Sequence, residues 1–89
     1  MPQESQSTLT ILSERNKTHG EFADNARFSQ EMKRLFQSSD YWEGLSDVHK
    51  ESLDMIALKI SRILSGQADF KDHWLDICGY SKLGENACD

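Results

Sequence analysis

"SDVHKESLDMIALKISRILSG", residues 46–66, decides the fold. Projected at about 100° per residue, Leu53, Ile56, Ala57, Ile60, Ile63 and Leu64 fall on one broad apolar face, the periodicity of an amphipathic helix. Ser46 supplies an N-cap oxygen, and Gly66 tolerates the left-handed conformation past the last turn, so the spacing predicts a helix from about Asp47 to Ser65. The other side mixes Glu51, Asp54, Met55, Leu58, Lys59 and Arg62 at i, i+3, i+4 and i+7 spacings. A purely solvated face rarely keeps Met55 and Leu58 between its charges, so this side is expected to meet a cleft or another subunit.

Outward from this helix, the punctuation stays helical: the only proline is Pro2, and single glycines stand at 20, 44, 66, 79 and 84. Strand alternation is absent. A first helix is predicted from a cap at Ser5 or Ser7, carrying Leu9, Ile11 and Leu12 and stopping at Gly20. A second runs from about Phe22 to Gln37 with Phe22, Ala26, Met32, Leu35 and Phe36 inward. "SSDYWEGLSD", 38–47, is rich in turn formers and reads as a connection that tucks Tyr41 and Trp42 against the helices. A fourth helix, capped by Asp69, extends to about Leu83. The expected fold is therefore all-α, a small four-helix bundle or set of helical hairpins completed by dimerisation. One domain spans 1–89, with residues 1–6 expected to be a flexible N-terminus and 85–89 a frayed C-terminus.

Size and charge narrow the partners. A chain of 89 residues buries little more than about 60% of its unfolded surface, so its core is thin and a homodimer would relieve it. The net charge of -5 and the lack of any basic cluster argue against nucleic acid. Cys78 and Cys88 form neither a CxxC pair nor a disulfide framework, which suits a reduced cytoplasmic chain. The polar start "MPQESQSTLT" and the lack of 18 consecutive apolar residues point to neither secretion nor membrane insertion.

Chemistry concentrates in the last two predicted helices. The fourth places Trp74, Ile77, Cys78 and Ser81 on one side and Asp72, Asp76, Gly79 and Leu83 on the other. Gly79 costs about 1 kcal/mol in a helix interior relative to alanine, which suggests that a helix or a ligand approaches the backbone there. If the third and fourth helices are antiparallel neighbours, Lys59 and Arg62 lie close to Asp72 and Asp76. Carboxylates on facing helices suit Mg²⁺, which takes one or two of them plus substrate phosphates, and Lys59 and Arg62 would neutralise phosphate oxygens. The plainer alternative is that Glu51, Asp54, Asp72 and Asp76 are solvated acids, or pair with Lys59 and Arg62 in structural salt bridges.

A second feature is "ERNKTHGEFADNARF", 14–28, which packs His19, Asp24 and Asn25 around Gly20, a content common in ligand-binding loops. Asp24 and Asn25 serve equally well as helix caps, and His19 as a surface residue. The three histidines lack zinc spacing, and Cys78 reads as packed rather than reactive. Tyr80, next to Gly79, is the aromatic residue kept as a candidate ligand contact.

"ERNKTHGEFADNA" (14–26), "DMIALKISRILSG" (54–66) and "KDHWLDICGYSKL" (71–83) together resemble a family of small uncharacterised proteins encoded by bacteriophages and prophages, over nearly the whole chain. More remotely, the helix pair is similar to the MazG-like all-α nucleoside triphosphate pyrophosphatases, where one helix carries Glu-x-x-Glu and a later one Glu-x-x-Asp, all binding Mg²⁺. That resemblance implies that Glu51 and Asp54 stand for the first pair and Asp76 for the closing aspartate. His73 replaces the glutamate three residues before Asp76, and Asp72 offers an acid one residue further back. Two functions follow. In one, Glu51, Asp54, Asp72 and Asp76 hold Mg²⁺, Lys59 and Arg62 stabilise phosphate charge, and His19, Asn25 and Tyr80 contact the nucleotide. In the other, the chain is a non-catalytic interaction module whose acids form a charged seam.

Overall fold

A computed structural model describes Ile11 and residues 21–89. The described residues contain three α-helices and no strand: α1 (Phe22–Gln37), α2 (Asp47–Arg62) and α3 (Lys71–Asn86). The chain is all-helical, as its periodicity predicts. The predicted first helix, with Leu9, Leu12 and its stop at Gly20, lies outside the described residues.

Local chemistry sets the ends. Ser46 Oγ accepts from the His49 backbone N–H at 3.1 Å and caps α2 as expected. Past Arg62, a wide π-type turn over Ile63–Gln67 breaks the helix, and Gly66 takes φ 101°, where a side chain would be strained. The Asp69 cap is not seen. Phe70 occupies the N-cap position of α3 with no side-chain cap bond, and α3 continues past Leu83 to Asn86. Among the described residues no helix is long and apolar enough to cross a membrane.

α2 is the central element, and both other helices pack against it. Lys59 and Ser52 look towards α3, where they meet Asp76 and Gly84. Lys50, Ala57 and Ser61 sit roughly 140–180° further round. Lys50 lies against Trp42, whose ring stacks on Phe36 of α1, so this second side belongs to α1 and the short 3-10 turn Trp42–Gly44. Ala57 and Ser61 are fully buried there. Small side chains let helix axes approach to the near end of the usual 8–10 Å range.

The interior differs from the expected one. Trp42 and Ala57 are the buried apolar residues among those described, accompanied by Asn25, Ser29, Ser52, Ser61 and His73. Phe22 and Leu35, expected inward, are 80% and 69% exposed, and Leu53 and Leu64 also reach solvent. Tyr41 and Trp42 part company: the indole is buried and the phenol is exposed. Periodicity identified apolar stripes correctly but not which of them a neighbour covers.

Candidate functional site

The α2–α3 seam is built on an ion pair. Lys59 Nζ lies 2.8 Å from Asp76 Oδ2, with the lysine side chain 12% exposed and the aspartate half-exposed. A charge-assisted bond at this distance favours the carboxylate, so the hydrogen bond from Lys59 holds Asp76 below its ordinary value of 3.8. Partial burial opposes that shift, while the fields of Lys59, His73 and Arg62 reinforce it. His73 itself is buried edge-on to Phe70, with ring centroids 4.9 Å apart.

The sign of the pH dependence follows. Because the folded-state pKa of Asp76 is depressed, the pair stabilises the fold fully above the ordinary value of 3.8 and loses that contribution as pH falls through the lower folded value. Melting curves from about pH 7 down to about pH 2 should therefore show an acid-side fall that is shallower in Asp76→Asn than in the parent chain. Parallel acid limbs in the two proteins would rule this out.

Toward the other end of the seam, α2 and α3 enclose a mainly apolar groove of about 450 Å³ lined by Leu45, Leu53, Ile56, Tyr80 and Gly84. Tyr80, the candidate ligand contact, thus faces a cavity. His49 closes the groove: its Nε2 donates to the Gly84 carbonyl at 3.0 Å, and Cys88 Sγ lies 3.7 Å from the same nitrogen. A Cβ at Gly84 would stand 3.7 Å from Ser52 Cβ, whereas at Gly79 it would meet nothing within 4 Å. The close backbone approach expected at Gly79 is found at Gly84. His73, Ile77, Tyr80 and Gly84 recur at i, i+4, i+7 and i+11, the signal in the sequence that marks the inward side of α3.

The remaining candidates are scattered. Asp54 is roughly 140° round α2 from Lys59 and Glu51 roughly 80°, so neither looks along the Lys59–Asp76 direction. Glu51 and Asp72 are exposed. Asp54 is part-buried, and its Oδ1, shielded from solvent, has no hydrogen-bond partner. Asn25 is buried in α1, Arg62 is part-buried, and His19 lies outside the described residues. No three His, Cys, Asp or Glu side chains among the described residues gather as a group able to hold a metal ion.

Two helices packed on opposite sides of a central one, one of the two contacts carrying the Lys59–Asp76 ion pair, define a small all-helical domain. The chain belongs to the family described as a domain of unknown function, DUF6378, whose profile matches residues 5–88. No curated protein and no solved structure matches it.

Proposed function

We propose that the chain is a non-catalytic helical interaction module that completes its fold by pairing with a second copy. The observation that carries this reading is the amount of apolar surface left uncovered: Phe22, Leu35, Tyr41, Leu64, Leu75 and Leu83 are each more than half exposed. Exposed apolar side chains gathered in patches mark protein-binding surfaces, and a chain of this size gains most from such a partner. The Lys59–Asp76 pair fits the same reading, because it spends the best-placed acid and the best-placed cation of the seam on each other. The four-helix bundle expected from the sequence belongs to this proposal, as do the phage-type accessory role that the resemblance implies and the cytoplasmic setting that the unpaired cysteines suit.

Sedimentation velocity of the full chain tests it. The expected species has twice the 10.2 kDa chain mass at concentrations up to roughly 100 µM, above the micromolar constants typical of small interfaces. A strictly monomeric chain over that range would overturn the reading.

A second reading, Mg²⁺-dependent nucleotide binding with α–β phosphate cleavage, draws support from the orphaned Asp54 Oδ1, a buried carboxylate oxygen of the kind a cation or donor satisfies. This reading requires Glu51, Asp54, Asp72 and Asp76 to leave their separate positions and gather on the ion, and Lys59 to exchange Asp76 for phosphate beside Arg62. A ligand at about 100 times its dissociation constant adds about 2.7 kcal/mol and moves the melting midpoint by more than about 10 °C. A scan with Mg²⁺ and nucleoside triphosphates that stays flat removes this second reading and leaves the first standing.

A further inference from the structure

The outward side of α3 is more organised than a solvated face requires. Lys71, Trp74, Leu75, Cys78, Lys82 and Glu85 are all exposed and, at about 100° per residue, lie within a sector roughly 100° wide. Trp74 and Leu75 are 52% and 64% exposed and mark the two edges of that sector, with Cys78 between them. The indole is nonetheless fixed, since its Nε1 donates to the Ala68 carbonyl at 2.7 Å. A fixed, half-exposed tryptophan gives up little side-chain entropy on docking, which is why such residues serve as interface anchors. The large exposed apolar residues of α1 make no such stripe, because Phe22 and Leu35 lie roughly 140° apart around that helix.

Charge along the stripe selects its occupant. Basic Lys71 begins it, acidic Glu85 ends it, and Cys78 stands midway. When the stripe meets a reversed copy of itself, residues equidistant from Cys78 come together: Lys71 with Glu85, Trp74 with Lys82, and Leu75 with Ser81. The first pairing is an ion pair made twice, and the second sets an ammonium near an indole face. Glu85 already receives a bond from Lys82 of its own chain at one carboxylate oxygen, Oε1, leaving Oε2 for a second cation. A parallel pairing would instead set Lys71 on Lys71 and Glu85 on Glu85.

We infer that α3 docks antiparallel on α3 of a second copy of this chain, with the two-fold axis passing at Cys78. This inference rests on the self-association proposed above and names its surface. The interface is isologous and closed, each helix giving the other what it receives. The stripe is only about 21 Å long at 1.5 Å per residue, so the buried area falls at the low end for specific pairs, roughly 1,200 Å² or less.

Disulfide trapping in the full chain tests both orientation and axis. In Cys88→Ser, Cys78 is the single thiol, and diamide oxidation should convert most of the chain to a covalent dimer, because only an axial position brings its own copy within the roughly 7 Å Cα separation a disulfide needs. Adding Leu75→Glu, at an exposed site, should abolish both the crosslink and the dimer while the chain keeps its helical circular-dichroism spectrum. With both native cysteines changed to serine, Lys71→Cys and Glu85→Cys should each fail to crosslink alone and should crosslink when mixed. A dimer seen in sedimentation whose Cys78 does not crosslink overturns this surface and leaves self-association intact. Self-crosslinking of Glu85→Cys overturns the antiparallel arrangement, and a monomer overturns both proposals.

Discussion

Replacing Trp42 with alanine should be the most damaging single truncation among the described residues, costing about 3–5 kcal/mol. The indole is 8% exposed, in a three-residue 3-10 turn with no helix of its own to hold it. What holds it is packing: the Phe36 ring stacks on it at 5.8 Å between centroids and 25° between planes, and Lys50 Nζ lies 6.0 Å from its centre. Truncation therefore removes the contact that ties the α1–α2 connection to both helices. Total stabilities of 5–15 kcal/mol are typical, with small domains towards the bottom, so the loss approaches the whole margin. At about 4–8 °C per kcal/mol, the midpoint should fall by well over 10 °C, while Trp42→Phe keeps an aromatic ring against Phe36 and should lose less. Urea and thermal denaturation followed by circular dichroism measure both. A loss below about 1 kcal/mol in Trp42→Ala would mean that this ring does not anchor the connection.

The helices were legible because their signals are local. The expected Phe22–Gln37 helix is α1 residue for residue and Ser46 caps α2, while α2 stops at Arg62, short of the expected Ser65, and Gly66 takes its positive φ inside the π-type turn that follows. Each of those outcomes depends on a few neighbouring residues. Burial depends on partners, and there the reading from periodicity fell short. Phe22, Leu35, Leu53 and Leu64 are apolar in the right places, yet nothing in a helical pattern states which stripe a neighbouring helix will cover. Conversely, Ser29, Ser52 and Ser61 are polar by type and buried in fact, because a close helix approach selects for small side chains before apolar ones, while the larger His73 is buried edge-on to Phe70.

The same distinction governs the site. An antiparallel hairpin was enough to bring Lys59 towards Asp76, since charge and register are both visible in the sequence. Aligning Glu51 with Asp54 at i, i+3 was also sound, but it fixed only their relation to each other. Which side of α2 receives α3 is decided by Ser52 opposite Gly84 and by His49 bonding the Gly84 carbonyl, contacts between residues that carry no obvious motif. The one missed clue was Gly84 itself, in step with His73, Ile77 and Tyr80 along α3.

Ala57→Leu is the second large expected effect, and its direction separates packing from hydrophobicity. Leucine is more apolar than alanine, so on transfer energy alone the change at a buried site should stabilise the fold by roughly 1–2 kcal/mol. Ala57, however, is fully covered on the side of α2 that also presents Ser61 and Lys50, the side taken by α1 and Trp42. Ser61, likewise fully buried, donates its hydroxyl to the Leu58 carbonyl at 2.6 Å, so that side chain is folded back onto its own helix and offers no room to retreat. Three extra carbons must then push the helices apart or force strained rotamers, which typically costs about 1–3 kcal/mol. The expected result is a fall in the melting midpoint of about 4 °C or more, against a change within about 0.5 kcal/mol for Ala23→Leu on the exposed side of α1. A stabilised Ala57→Leu would mean that the α1–α2 contact has space to fill, and that the buried small residues do not set the distance between the two helices.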